Sequence, residues 1–147
     1  MVGGEVGVRP ADSLRFAVRT DVLSGDDDPA DDRATAFNTV YGANHKFYGH
    51  MDMAMFLAGG FRDGQGLVDS VLRGRWSSGP TSILVDQHLF LLPVPSDEAL
   101  LAVEPNLQLR QKLTEGLVLQ LGTNMWFPLQ EAGATEFMTW MQIDARM

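Results

Sequence analysis

Residues 44–57 read Asn-His-Lys-Phe-Tyr-Gly-His-Met-Asp-Met-Ala-Met-Phe-Leu, and their side chains separate into two sets at a period of two. The polar set consists of Lys46, Tyr48, His50 and Asp52. The apolar set consists of Phe47, Gly49, Met51, Met53, Met55 and Leu57. Successive side chains of a strand point to opposite faces, whereas no single stripe of a helix would gather the polar set. The stretch therefore predicts a β-strand with one polar and one apolar face.

The same alternation recurs along the chain in segments that are closed by Gly, Pro, Asp or Ser. This pattern predicts an all-β, antiparallel up-and-down meander of about eight strands, in one domain that covers residues 1–147. The predicted strands span residues 4–9, 14–23, 44–57, 67–76, 82–92, 102–113, 117–127 and 137–147. Residues 24–43 and 58–66 are predicted loops, and residues 35–41 are a candidate for a further strand.

The composition of the chain argues against several classes of protein. The 147 residues include no cysteine, so disulfide and thiol chemistry are excluded. The net charge of −8 argues against nucleic acid as a partner. The sequence has neither an apolar run of the length that predicts a transmembrane helix nor a signal-peptide pattern at its start.

The charged residues of the predicted strands all fall on the polar sets. Nine of the eleven basic residues lie there with seven acidic residues, and no charge lies on an apolar set. A charge that faces the hydrocarbon of a bilayer costs roughly 2–4 kcal/mol at the midplane, so a lipid-facing surface requires this absence. Strand length and the volume of the apolar side chains also favour a transmembrane β-barrel. The alternative is a soluble lipocalin-like barrel with its apolar side chains inside.

Several motifs add a resemblance to a known family. They are Ser-Gly-Asp-Asp-Asp-Pro (24–29), Ala-Phe-Asn-Thr-Val-Tyr-Gly-Ala-Asn-His-Lys-Phe-Tyr-Gly-His-Met-Asp (36–52), Gly-Leu-Val-Asp (66–69), Asp-Gln-His-Leu-Phe (86–90), Leu-Thr-Glu-Gly-Leu-Val-Leu (113–119) and the final Gln-Ile-Asp-Ala-Arg-Met. Together they resemble the C-terminal half of the alginate-export-like family of Gram-negative outer-membrane β-barrel proteins. The resemblance implies a monomeric outer-membrane barrel of about eighteen strands that passes an anionic polysaccharide or small solutes. The eight strands would then form either a small closed barrel or the C-terminal part of a larger one.

Seven basic residues of the predicted polar faces are candidate selectivity residues in the lumen of such a channel. They are Arg15, Arg19, Lys46, Arg73, Arg75, Arg110 and Lys112. Guanidinium groups aimed into a pore bind the carboxylate or phosphate groups of passing anions. The alternative interpretation is a structural network, in which carboxylates on neighbouring strands neutralise these cations.

A second cluster of predicted polar-face residues combines histidines, aspartates and a tyrosine. Its members are Tyr48, His50, Asp52, Asp69, Asp86 and His88. Histidine and aspartate at positions i and i+2 can bind a metal or orient a catalytic base, and cross-strand hydrogen bonding is the alternative. Asp26, Asp27 and Asp28 are a weak candidate for Ca²⁺, because their spacing lacks the glycine and glutamate of an EF-hand.

From these observations we expect a passive outer-membrane channel for anionic solutes or polysaccharide. Such a channel is not an enzyme, and it needs no cofactor and no metal. Its partners would be the lipid bilayer and the permeant anion. Two alternatives stay open: a soluble lipocalin-like ligand-binding barrel, and a small outer-membrane hydrolase that uses His50 or His88.

Overall fold

The computed structural model describes residues 1–26, 35–37, 48–56, 66–93, 100–129 and 133–146. The described residues form one antiparallel sheet of seven strands, so the predicted all-β antiparallel class is confirmed. The elements are β1 (Val2–Ala11), β2 (Leu14–Leu23), α1 (Met53–Phe56), β3 (Leu67–Ser78), β4 (Thr81–Leu91), β5 (Leu100–Thr114), β6 (Leu117–Pro128) and β7 (Glu136–Ala145). None of the helical segments that the structure describes has the length and hydropathy needed to cross a bilayer.

The sheet is a meander, in which each strand pairs with the next strand along the chain. Two-residue turns join β1 to β2, β3 to β4 and β5 to β6, and all three lie at the same end of the sheet. In the second turn Gly79 has a φ of +53°, a left-handed conformation that glycine adopts at little cost. We call this the turn end of the sheet. No pairing joins β1 to β7 among the described residues, so the sheet is open there.

The register separates the side chains into two faces. One face, the polar face, carries the charged residues of β2 to β7. Its polar members include Arg15, Arg19, Asp21, Asp69, Arg73, Arg75, Asp86, His88, Glu104, Asn106, Gln108, Arg110, Lys112, Gln120, Asn124, Glu136, Gln142 and Asp144. The opposite face, the apolar face, includes Phe16, Val18, Leu72, Trp76, Val85, Leu107, Leu109, Leu121, Phe137, Met141 and Ile143.

Large apolar side chains are exposed and several polar side chains are buried, which is the reverse of the arrangement in a typical soluble protein. Phe16 and Leu72 on the apolar face are 43% and 58% exposed, and Met141 is 66% exposed. On the polar face, by contrast, Asp69 is completely buried, and the side chain of Arg19 is 15% exposed. The predicted separation of apolar and charged side chains onto opposite faces of the strands matches this arrangement.

Some of the polar side chains on the apolar face are paired within the sheet, although the buried hydroxyl of Thr123 has no hydrogen-bond partner among the described residues. Thr20 and Ser70 lie opposite each other, and their hydroxyl oxygens are 3.2 Å apart. The Gln87 amide donates to the backbone carbonyl of His88 at 3.0 Å. Such pairing is required where no water is present to complete the hydrogen bonds.

The predicted strand over residues 44–57 is wrong wherever the structure describes that stretch. Residues 48–52 are irregular, and α1 is a single helical turn. Gly49 and Asp52 have φ values of +83° and +57°, and a left-handed residue cannot continue an extended strand. Residues 44–47 and 57 lie outside the described part of the chain.

Two further expectations change with this correction. β2 pairs directly with β3, so the described strands number seven, and not the eight that were predicted. Residues 35–37, the described part of the candidate strand 35–41, do not belong to a strand, and the Phe37 amide donates to the Ser24 carbonyl at 3.0 Å. Residues 38–41 lie outside the description.

The 48–56 segment packs on the polar face, at the end of the sheet opposite to the turn end. Its residues join strand residues in a buried cluster of Leu23, Tyr48, Ala54, Leu67, Phe90, Leu101, Ala102 and Trp126. Met51 and Met53 pack against this cluster. Tyr48 of the polar set and Met51 and Met53 of the apolar set all pack here, so the alternation does not separate a buried face from an exposed one.

Candidate functional site

The candidate site is the polar face, because it buries an unusual number of polar groups. Within the described residues, seven polar or charged side chains are less than one-tenth exposed, and all of them lie on this face: Asp21, Asp69, Asp86, His88, Glu104, Asn106 and Asn124. A buried polar group is costly unless it has a hydrogen-bond partner or an ionic partner. The pairing of these residues therefore determines which of the predicted site residues are free to meet a solute.

Arg73 and Asp86 form a two-pronged ion pair between β3 and β4. They are directly opposite in the register, with Nε 2.7 Å from Oδ1 and Nη2 2.6 Å from Oδ2. Two parallel charged hydrogen bonds of this kind are strong and fix the orientation of both groups. Glu5 on β1 lies 4.0 Å from Arg73 and also pairs with Arg15. Arg15 and Arg73 are thus neutralised within the sheet.

Asp69 is the centre of a second network. Its Oδ1 lies 2.9 Å from Nδ1 of His88, and its Oδ2 lies 3.3 Å from Nη2 of Arg19. Asp21 is directly opposite Asp69, and carboxylates in this position repel each other. Arg19 offsets that repulsion, since its Nε is also 3.1 Å from Asp21. For Arg15, Arg19 and Arg73 the structural-network interpretation fits the observed contacts.

Three predicted selectivity residues differ from these. Arg75, Arg110 and Lys112 are exposed, and within the described part of the chain none of them forms an ion pair. They lie on the polar face towards the turn end, where Arg75 is opposite Arg15 and Arg110 is opposite Ser82. The charge on these three side chains is therefore available to a solute. Lys46, the seventh predicted residue, lies outside the described residues.

A cavity of about 630 Å³ adjoins this basic group. Arg110, Lys112 and Arg146 line it, together with the acidic residues Glu115 and Asp144. It lies between the β5–β6 turn and the end of β7. Because cations and carboxylates both line the cavity, it can hold a group that carries both charges, or an anion near the basic side.

The 48–56 segment crosses the polar face and contacts both edges of the sheet. The Tyr48 hydroxyl lies 3.8 Å from Sδ of Met1, next to β1. The His50 ring stacks on Trp140 of β7, with ring centroids 5.6 Å apart. Residues from the segment therefore cover a region of the polar face that spans from the first strand to the last.

Glu104 on β5 connects this segment to the middle of the sheet. It is completely buried, and its Oε1 accepts hydrogen bonds from the backbone N–H groups of His50 at 2.6 Å and Met51 at 3.2 Å. The sequence pattern placed Glu104 on the polar face without assigning it a role. Its partners are backbone amides from a distant part of the chain, so no local motif could identify it.

A group of amides and aromatic rings completes the face towards β7. Gln108 donates to Gln120 at 2.8 Å, and Gln120 donates to Asp144 at 2.6 Å. In the amide orientation that satisfies its neighbours, Asn124 donates to Asn106 at 2.7 Å and accepts from Nε1 of Trp140 at 3.2 Å. Trp126, which a membrane-interface belt would expose, is only 3% exposed and packs on Phe90.

The predicted histidine–aspartate cluster is only partly assembled. Asp69 and His88 are joined, whereas Asp86 pairs with Arg73 instead. Tyr48, His50 and Asp52 belong to the irregular segment and not to a neighbouring strand. The strands thus supply Asp69, Asp86 and His88, whereas the other three residues come from the segment that packs on the same face.

The His88 ring is enclosed beside Asp69 and Phe90. It is 3% exposed and stacks on Phe90 at 5.4 Å, and within the described residues no hydroxyl group is hydrogen-bonded to it. Burial, followed by the charge of Asp21, raises the pKa of the Tyr48 hydroxyl above its ordinary value. The neutral phenol is therefore favoured over the charged phenolate at this position.

Metal binding receives no structural support from the described residues, which contain no group of three or more histidine or carboxylate side chains placed to hold an ion. Asp26, the described member of the candidate calcium loop, accepts a hydrogen bond from Thr35 at 3.2 Å. Asp27 and Asp28 lie outside the description.

Comparisons of the chain with protein-family models, with characterised proteins and with solved structures found no match.

Proposed function

We propose that this chain forms part of the wall of a passive outer-membrane channel for anionic solutes, with the apolar face against lipid and the polar face against the aqueous path. The observation that carries this proposal is the distribution of exposed side chains. Large apolar residues across the sheet are exposed, from Val6 at 79% and Val18 at 54% in β1 and β2 to Ile143 at 60% in β7.

A water-soluble surface does not usually look like this. Monomeric soluble proteins rarely expose one continuous apolar patch of more than a few hundred Å². Here the exposed apolar residues extend over all seven strands, and the charged residues of β2 to β7 lie on the other face. A bilayer is the environment in which this distribution is stable, because hydrocarbon accepts apolar side chains and rejects charges.

The soluble lipocalin-like alternative requires the opposite arrangement. In such a barrel the apolar side chains fill the interior and the charged ones meet water. Phe16 is exposed in this structure, whereas Asp69 and Glu104 are buried. The observed arrangement therefore favours the membrane proposal.

A preference for anions is supported by the unpaired cations. Arg75, Arg110 and Lys112 are exposed and free of ion pairs among the described residues, so they provide positive charge near the turn end of the polar face. Arginine binds carboxylate and phosphate groups with a planar pair of donors. The resemblance to the alginate-export-like family would make an acidic polysaccharide the permeant molecule, and this identity stays a prediction.

The first experiment measures membrane insertion and conductance. The protein should require detergent for solubility, insert into liposomes and conduct ions in planar bilayers. A stable monomer in plain buffer that does not bind liposomes would instead support the soluble barrel.

The second experiment measures ion selectivity from the reversal potential in a salt gradient. Arg75→Glu and Arg110→Glu should each shift the preference towards cations, while Arg110→Lys, which keeps the charge, should not. Neither glutamate variant changes Arg73, whose replacement would leave Asp86 buried without its ionic partner. An unchanged preference in both glutamate variants would contradict the anion pathway.

A further inference from the structure

We propose that Glu104 is the positioning residue that holds the 48–56 segment across the polar face, and that loss of this contact opens the face to solutes. The first part of the proposal concerns the fold of the chain. The second part rests on the proposed channel function, since a segment that crosses the polar face would occupy the aqueous path.

The contact is directional and completely buried. Oε1 of Glu104 accepts hydrogen bonds from two successive backbone amides, those of His50 and Met51. A carboxylate that accepts hydrogen bonds from successive amides lies in an anion-binding concavity of the backbone, and hydrogen bonds to charged groups are stronger than neutral ones. Because Glu104 is fully buried, moving the segment away would remove two of the donors that compensate the carboxyl group for lost water.

The backbone of the segment is shaped for this carboxyl group. Gly49, which precedes the two donor amides, has a φ of +83°. A Cβ atom at position 49 would lie 2.5 Å from Oε2 and 2.7 Å from the carboxyl carbon of Glu104. A side chain at this position therefore cannot coexist with Glu104 in its observed place. Glycine permits both the turn and the close approach.

Packing contacts of the segment support the same position. Ala54 is completely buried in the cluster that includes Phe90 and Trp126. His50, one of the two donors to Glu104, stacks its ring on Trp140. These contacts keep the segment near the sheet, whereas the Glu104 hydrogen bonds fix its depth and orientation, since apolar packing is not directional.

Hydrogen exchange with peptide-level mass spectrometry tests the positioning role in the detergent-solubilised protein. Glu104→Gln removes the charge. Gly49→Ala disrupts the same contact from the segment, because the added Cβ atom clashes with the Glu104 carboxyl group, and it changes no residue of the sheet. In both variants the amides of residues 48–56 should exchange about tenfold faster or more, which is the change expected from losing charge-assisted hydrogen bonds. The strands β3 to β6 should keep their protection.

The matched control is Glu5→Gln, the same substitution on the same face at a residue that contacts Arg15 and Arg73 and not the segment. It should leave exchange in residues 48–56 at the original rate. If amides throughout the sheet of Glu104→Gln also lost their protection from exchange, the positioning role would be judged from Gly49→Ala alone. Unchanged exchange of residues 48–56 in Gly49→Ala would overturn the positioning role.

Planar-bilayer recordings test the second part. The two segment variants should show a larger conductance or a larger open fraction than the original protein and Glu5→Gln. Faster exchange without any gain in conductance would overturn the opening of the face. Absence of conductance from every protein, including the original, would refute the proposed channel and leave the positioning role to be judged by exchange alone.

Discussion

At the scale of single residues, the polar face depends on close fits as well as on charge pairing. Trp140 lies directly over Gly122 on the neighbouring strand, and the two residues are opposite in the register. A Cβ atom at position 122 would overlap the indole ring of Trp140. The absence of a side chain at position 122 thus allows Trp140 to lie flat and stack with His50.

Gly122→Ala should therefore lower the free energy of unfolding by about 1–3 kcal/mol, because the indole ring must leave its place. Gly4→Ala is the control, since a Cβ atom at Gly4 has no neighbour within 4 Å. It should change stability by no more than about 0.5 kcal/mol. Denaturant unfolding followed by tryptophan fluorescence measures both values. Equal stability of the two variants would contradict the close fit.

At the scale of elements, β5 places successive side chains on the apolar face and on the polar face of the sheet. Leu107 is 45% exposed on the apolar face, while the next residue, Gln108, faces the polar side and bonds to Gln120. Both lie near the middle of the 15-residue strand. The two positions therefore provide a test in which sequence context and depth are nearly the same.

Leu107→Arg should reduce the free energy of unfolding in liposomes by roughly 2–4 kcal/mol, because the new charge would face hydrocarbon. Gln108→Arg should cost only about 1 kcal/mol, the value of one lost hydrogen bond. Urea titration of the protein in liposomes provides the comparison. Similar costs for the two arginine variants would indicate that the apolar face does not contact lipid.

The prediction of elements from sequence was most accurate where the signal is local. β2 has the predicted bounds, and β3 to β7 occur within a few residues of their predicted places. In each case the alternation sets the faces, and turn residues such as Gly79 set the ends. The same reasoning failed at residues 48–52, where two left-handed residues interrupt a pattern that looks like a strand.

At the scale of the whole molecule, the three tryptophans lie on different faces of the sheet and can therefore show which face contacts lipid. Trp76 is 41% exposed on the apolar face, whereas Trp126 is 3% exposed and Trp140 lies on the polar face under His50. If the apolar face meets lipid, only Trp76 is accessible to the acyl chains.

Brominated lipids, which quench nearby tryptophans, test this orientation in variants that keep one tryptophan each. The protein that retains Trp76 should be strongly quenched, and the proteins that retain Trp126 or Trp140 should be quenched weakly. The same variants in unbrominated lipid provide the reference intensities. Stronger quenching of Trp126 than of Trp76 would contradict the proposed orientation.

The sequence by itself determined the all-β class, the meander and the face on which each strand residue lies, because alternation and turn chemistry act between neighbouring residues. Only the tertiary structure decided which cations are neutralised, since Arg73 meets Asp86 through the register of two strands and Arg75 meets no carboxylate there. It also decided that residues 48–56 cross the polar face and bond to Glu104. Contacts between residues far apart in the chain depend on how the strands align, and no local pattern encodes them.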